Sequence, residues 1–447
     1  MHAPGNELIS RNESGSAPSL ARRVGLFDAT MLVMGGIVGA GIFINPYVVA
    51  QQVHTPALIL GAWVAGGVIA LFGAFVYAEL AQRLPATGGQ YVYIKEAYHP
   101  LLGFLYGWVL LLVIQTGGMA GVAVTFSRYF VELTGWHTAE WVPAVCAVAI
   151  LTIINCLGVS FGSRVQSGLM VLKIGAILVL VVGGIVAVAH PAAPPIAMPR
   201  FDGHLISSFG AAMTPVLFAY GGWQTANFVA AELKEPRRDL PRALILGVIA
   251  VVVLYTSVNY VCVRVLGPEA LAQTHTPASA VMQSAFGSTG ARVLALGIAL
   301  SACGFLAQGI LTAPRVYFAM AADGAFFRAV ARVNEKSRVP VLAICLQSVW
   351  TIVIMLTGRY EQIINYVVSM DFIFFGLTAS TLFVFRRRRT GEATTRMPGH
   401  PWTTALFCLA CAFIVLNTIY RYPENTLIGM AILASGVPVY FAWKRAK

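Results

Sequence analysis

Two ionisable residues sit deep inside long apolar runs, where a charge is hardest to keep. Lys173 ends the stretch INCLGVSFGSRVQSGLMVLK (154–173), nine residues past Arg164. At the rise of an α-helix that is about 13 Å into the run, too deep for comfortable snorkelling. Asp371 lies about 16 Å from the Tyr360 end of its own run by the same rise. Intramembrane charges are rare unless used, so Lys173 reads as functional. For Asp371 two roles stay open: a protonated, hydrogen-bonded structural carboxyl, or a proton relay. Gln115, Asn155, Asn227 and Gln308 also fall in apolar runs. Each suits hydrogen bonding between helices, and together they could line a pathway.

A second kind of chemistry lies in the backbone. LVMGGIVGAGIFINP, Leu32 to Pro46, carries glycines at 35, 36, 39 and 41. Close packing through a GxxxG pair accounts for Gly35 and Gly39. Gly36 and Gly41 remain, each costing about 1 kcal/mol of helix propensity, so the stretch predicts local unwinding. A dinucleotide-binding loop is excluded, because no strand precedes it and no βαβ unit follows. FAYGGWQTANF, Phe218 to Phe228, repeats the device with Gly221 and Gly222, and Pro215 stands one turn earlier. A break in a membrane helix survives only where protein or a water-filled cavity satisfies the freed groups. Two breaks therefore imply a cavity.

The elements that must position these residues follow from composition. The chain has 447 residues, 58% hydrophobic and only 11% charged, with mean hydropathy +0.75. That balance describes an all-α integral membrane protein. A bilayer core of about 30 Å needs about 20 apolar residues per helix. Twelve runs qualify, at 27–52, 57–82, 100–131, 141–159, 165–189, 206–231, 242–266, 290–318, 339–357, 361–385, 402–420 and 424–443. They are continuous rather than alternating, which excludes a transmembrane β-barrel.

The net charge of +12 is explained by topology rather than nucleic acid. If the N-terminus is cytoplasmic, nearly all Lys and Arg fall in cytoplasmic loops, which leaves Arg128, Arg200, Arg264, Arg292, Arg359 and Arg421 outside. Both termini are then cytoplasmic. Arg386 to Arg389 reads as a stop-transfer anchor before it reads as a patch for anionic lipid. Asp28 and Glu79 lie near cytoplasmic ends of their runs and suit interfacial or gate contacts. All seven cysteines fall inside runs and read as buried free thiols. No cleavable signal peptide is expected.

The runs also predict an internal repeat. Residues 24–189 hold five runs and residues 206–389 five more; an odd number inverts the second unit, and both units open on a broken helix. GGQYVYIKEAY (88–98) and TPASAVMQSAF (276–286) are expected as matching amphipathic helices on opposite sides. Residues 402–443 carry two extra spans. Residues 1–23 are expected as a disordered tail and 444–447 as a short one.

GGIVGAGIF, PATGGQYVYIKEAY, the 154–173 stretch, FAYGGWQTANFVAAELKEPRRDLPRA (218–243) and LTAPRVYFAMAADGAFF (311–327) resemble the amino acid, polyamine and organocation (APC) superfamily. Within it, the chain most resembles L-type amino acid transporters and their prokaryotic relatives. The resemblance covers nearly everything from about residue 24. It implies a LeuT-like five-plus-five inverted repeat, discontinuous first and sixth helices, and amino acid transport by alternating access.

The breaks suit that substrate. Half-helix N-termini offer free N–H groups and C-termini bare carbonyls, and an α-amino acid carries both complementary charges. The family motif places substrate binding at Ile37, Gly39, Ala40, Gly41, Ile42, Phe218 and Gly221. The amides around Ala40, Gly41 and Ile42 would take the carboxylate, the carbonyls of Ile37, Phe218 and Gly221 the ammonium, and Phe218 would be the aromatic lid. Many members carry Ser where this chain has Ala40, so one hydroxyl contact is missing. Lys173 matches a lysine near the place where sodium-coupled relatives bind Na⁺, which implies sodium-independent exchange or, through Lys173 and Asp371, proton coupling.

No cofactor or metal site is expected, and no HExxH, GxSxG or P-loop supports an enzyme. A channel lacks its filter repeat or charged ring; an amino acid sensor without turnover stays open. Animal relatives are joined to a glycoprotein through a cysteine in the loop after the third span. Here that loop, 132–140, has none, so no disulfide-linked heavy chain is expected. The implied setting is the inner membrane of a prokaryote.

Overall fold

Proline opens the helices and glycine interrupts them, much as their backbone preferences require. The structure, a computed structural model, describes residues 23–39, 41–136, 138–187, 205–357, 360–421 and 423–445. Ala40 and, apart from Arg23, the N-terminal tail fall outside these residues, as does Arg200. Among the described residues the chain is helical, and its one piece of β-structure is a bridge between Val24 and Leu233.

The first run is two helices, α1 (Leu26–Ile37) and α2 (Gly41–Gln52), whose axes bend by 40°. The second is α3 (Pro56–Arg83), started by Thr55, whose side chain accepts from the Leu58 amide, with Pro56 at the first helical position. Next come α4 (Gln90–Ala97) and α5 (Pro100–Val109). A π-helical turn, Leu110–Ile114, leads from α5 into α6 (Gln115–Thr134), which ends on Gly135 at φ 65°. Then follow α7 (Trp141–Cys156), α8 (Val159–Ala187) and α9 (Leu205–Tyr220). Beyond α9 the chain continues as a 3₁₀ segment, Trp223–Glu232.

The second half holds α10 (Pro236–Gln273), α11 (Pro277–Thr312), α12 (Pro314–Ala322), α13 (Val341–Thr357), α14 (Tyr360–Arg388), α15 (Trp402–Arg421) and α16 (Pro423–Arg445). The described part of each expected run falls mostly on helix. By length and composition eight described helices can cross a membrane, or nine when α1 and α2 count as one span. α7 and α13 are shorter apolar helices.

Several local expectations are corrected. The inner half of the sixth run is a 3₁₀ helix rather than an α-helix. α8 starts at Val159, not near 165, so Lys173 stands at its midpoint. α10 runs past 266 to Gln273, through a kink at Gly267. All seven cysteines are free, but only Cys262 and Cys411 are buried; Cys156, Cys303, Cys345 and Cys408 are part-exposed and Cys146 is exposed. The two expected amphipathic helices both form, one as α4 and the other as the first turns of α11, which Gly287 (φ 63°) kinks away from the remainder.

Contacts gather both ends of the chain on one face. The amides of Arg23 and Val24 donate to the Glu232 carbonyl at 3.0 and 3.1 Å, and the Lys234 amide donates to Val24 O at 3.0 Å. Phe326 stacks on Trp443 with centroids 5.9 Å apart. Arg388 donates to the Glu96 carbonyl at 3.1 Å. This terminal face thus gathers residues that loop counting puts on one side of the membrane.

Candidate functional site

The two breaks lie against each other. Gly222 has φ +106°, a conformation that glycine adopts without penalty and L side chains rarely do. A Cβ there would run into the Gly36 carbonyl, and a Cβ on Gly36 would run into the Gly222 carbonyl. The glycines thus do two things: they end the helices, and they let the two backbones touch.

Freed carbonyls near the breaks find side-chain donors on neighbouring helices. Tyr255 of α10 donates its hydroxyl towards Ile37 O at 3.1 Å and Ala219 O at 3.3 Å, so one side chain spans both breaks. Lys173 Nζ, fully buried on α8, donates to Val38 O. Ser301 of α11 donates to Gly39 O at 3.3 Å. Asn45 on α2 donates to Pro215 O at 2.7 Å, joining the first broken helix to the second. Lys173 is therefore a strut that ties α8 to the break in the first span, with Ser301 beside it from α11. Its methylenes and amine pack on Gly304, where a Cβ would lie 3.3 Å from Cε and Nζ.

A cavity of about 960 Å³ of empty space, its open side included, lies beside the breaks. Ile37, Gly39, Gly41, Phe218 and Gly221 line it. Ile42 is fully buried and off the lining, and Ala40 lies outside the described residues. The Ile37 and Phe218 carbonyls are already used once, by Tyr255 and by the Gly221 amide at 3.2 Å. A carbonyl has two lone pairs, so each can accept again. Asp371, Gln115 and Gln308 also reach the lining. Asn155 and Asn227 do not: Asn155 donates to Leu151 O at 2.8 Å, and Asn227 bonds with Gln224 O and Tyr93. Leu217, Val122 and Val367 also line the cavity.

On the terminal face, ion pairs tie the helices together. Arg315 and Glu232 form a pair with both side chains fully buried, N···O 2.6 Å. Tyr91 and Lys95 of α4 both reach Asp323 at 2.7 Å. Burial works against the Lys95 ammonium, but Asp323 and Glu96 outweigh it and hold the Lys95 pKa above its ordinary value. Glu79, expected as an interfacial or gate contact, is buried and takes bonds from Arg83, Arg386 and the Met397 amide. Asp28 accepts from Ser167 at 2.8 Å.

Sequence reasoning missed Tyr255, Ser301 and Phe305, and it missed the glycine wall of α6, where Gly117, Gly118 and Gly121 line the cavity. The wall follows directly on the π turn, and its GGMAG spacing was the available signal. Nothing local distinguishes Tyr255 from other aromatic residues in spans.

Residues 24–440 match the family model described as amino acid permease. The chain belongs to the amino acid permease family, within the APC superfamily. Among curated members it is similar to the human large neutral amino acids transporter small subunit 2, at 29% identity, covering 98% of this chain and 84% of the relative. It is likewise 29% identical to the serine/threonine exchanger SteT of Bacillus subtilis strain 168, covering 96% and 98%. The human cystine/glutamate transporter is 27% identical over 94% of this chain and 85% of its own length. This permease is thus a multi-pass membrane transporter of amino acids rather than an enzyme.

Proposed function

We propose that the permease is a sodium-independent amino acid exchanger that works by alternating access in the inner membrane of a prokaryote, with both termini cytoplasmic. The observation that carries this reading is the pair of apposed breaks with Lys173 fixed to Val38 O between α8 and α11. A protein ammonium on that carbonyl occupies the place a coupling cation would need, so coupling to Na⁺ has no role there. The amides at the start of α2 and the spare lone pairs of Ile37 and Phe218 match the two charges of an α-amino acid. The names of the Bacillus and human relatives, an exchanger and a transporter of two amino acids, agree with exchange.

In this reading the elements form two inverted five-span units, 24–189 and 206–389, followed by spans at 402–443. The arrangement is then outward-facing, with Glu232–Arg315 and Asp323–Lys95 tying together the terminal face that this reading makes cytoplasmic. A covalently attached partner is not needed, since residues 132–140 lack cysteine.

The test is uptake of labelled amino acids into sodium-free proteoliposomes, with and without unlabelled amino acid inside. Exchange predicts uptake only into preloaded vesicles. Equal uptake into empty vesicles would replace exchange with uniport or proton symport. Gly41→Val separates site from fold: the first added carbon meets Asn45 and Ala219 at ordinary contact, 3.4 and 3.5 Å. The variant inserts normally and binds no amino acid; normal uptake by it would remove the proposed site.

A further inference from the structure

The cavity lining is lopsided in charge. Among its described residues Asp371 is the one ionisable group, in a chain whose Lys and Arg outnumber Asp and Glu by 30 to 18. Lys173 stands behind Val38 and does not reach the lining. Other interior acids are matched by protein: Glu232 by Arg315, and Glu79 by Arg83 and Arg386. Asp371 takes no hydrogen bond or ion pair from a described residue and faces the cavity.

A structural, protonated carboxyl would need an acceptor for its proton within the packing. No described residue is hydrogen-bonded to the Asp371 carboxylate and Asp371 lines the cavity, so a ligand there can serve as its partner. A second lining group points the same way. The amide nitrogen of Gln308 is committed to Thr225 and Thr312. Its Oε1 is buried without a protein partner among the described residues. Both unmatched groups accept hydrogen bonds, and a ligand that satisfies them must donate.

The surroundings favour a donor that is also a cation. Phe218, Phe305 and Phe372 line the same cavity, and aromatic faces attract ammonium and guanidinium groups. Among the described residues, no Lys or Arg lines it to oppose a positive charge. Gly117, Gly118 and Gly121 bring no side chain of their own into it from α6. The α-amino and carboxylate positions lie at the breaks of α1 and α9, while Asp371 projects from α14 on a separate wall.

We infer that Asp371 is the side-chain subsite of this cavity and selects amino acids whose side chain carries an ammonium or guanidinium group. The inference rests on the amino acid reading above. Calorimetric titration of the purified full-length protein tests it with two matched pairs, lysine against norleucine and arginine against citrulline. Lysine is expected to bind at least tenfold more tightly than norleucine, and arginine more tightly than citrulline. Asp371→Asn brings the lysine-to-norleucine ratio to about one. Asp371→Glu, which keeps the charge, keeps a preference for lysine.

Wild-type protein that binds norleucine as well as lysine overturns the inference whether or not the variants fold. So does an Asp371→Asn protein with the ratio intact. If neutral amino acids bind and cationic ones do not, this inference alone falls and the transporter reading stands. If no amino acid binds, or if cadaverine, which lacks the carboxylate, binds as tightly as lysine, the reading of the breaks falls with it.

Discussion

Tyr255→Phe is the sharpest perturbation of the site, because it removes one oxygen and almost no packing. The ring sits fully buried between Trp63, edge-on at 5.7 Å, and Tyr220 at 5.1 Å, and phenylalanine preserves both contacts. What disappears is the hydroxyl shared between Ile37 O and Ala219 O. A buried carbonyl left without its donor costs about 1–3 kcal/mol. The two carbonyls belong to different broken helices, so the loss also frees the helices to shift relative to each other. If that cost falls on the geometry that receives substrate, affinity drops by about 5- to 150-fold, at about 1.4 kcal/mol per factor of ten. Titration of the purified variant reads the affinity, and thermal unfolding in the absence of ligand reads the stability. Unchanged affinity with lowered thermal stability would refute the argument, since Tyr255 would then hold the fold without holding the site.

Two further outcomes follow from the same contacts. Lys173→Met removes the donor to Val38 O while keeping most of the side-chain volume, so transport is lost with normal expression; full turnover in proteoliposomes would make Lys173 a purely structural residue. Gly222→Ala places a methyl against Gly36 O at φ +106°, which combines overpacking with backbone strain, each about 1–3 kcal/mol; a melting temperature equal to the parent's would show that the breaks do not need to touch.

The architecture was legible in the sequence because membrane helices announce themselves by length and apolarity, and no other backbone arrangement suits these runs. The breaks were legible because glycine leaves a mark that tertiary contacts do not erase: Gly35, Gly36, Gly39 and Gly41 in one run, Gly221 and Gly222 in the other. What was not legible is which helix supplies the donors. Tyr255 and Ser301 look like ordinary span residues until α10 and α11 are brought against α1. The 3₁₀ form of Trp223–Glu232 was hidden for a similar reason. Its residues carry no strong preference against an α-helix, and its packing against the start of α1, where the Arg23 and Val24 amides meet Glu232 O, is nonlocal. Start positions erred where no cap marks them, as at Val159, six residues before the expected start of the run.

If the terminal face is the closed side, as proposed, the seam between α1 and α8 is a place for it to open. The segment before α1 is held to the end of the 3₁₀ helix by three backbone hydrogen bonds, which tie these two half-spans into one piece. Against α8 the same piece is held by weaker side-chain contacts, Ser167 to Asp28 and Arg23 to Ser160 at 3.5 Å. Between them lies Gln166, fully buried against Gly35, with neither its Nε2 nor its Oε1 bonded to a described residue. Each unmatched polar atom costs about 1–3 kcal/mol while the seam is shut. Water relieves that cost when the seam parts, so Gln166 destabilises the closed arrangement relative to an open one. Gln166→Met, close in shape and without the amide, should therefore raise the thermal stability of the closed state and slow exchange in proteoliposomes. A variant that melts lower than the parent while exchanging at the parent's rate would show that Gln166 supports the closed seam instead of loading it.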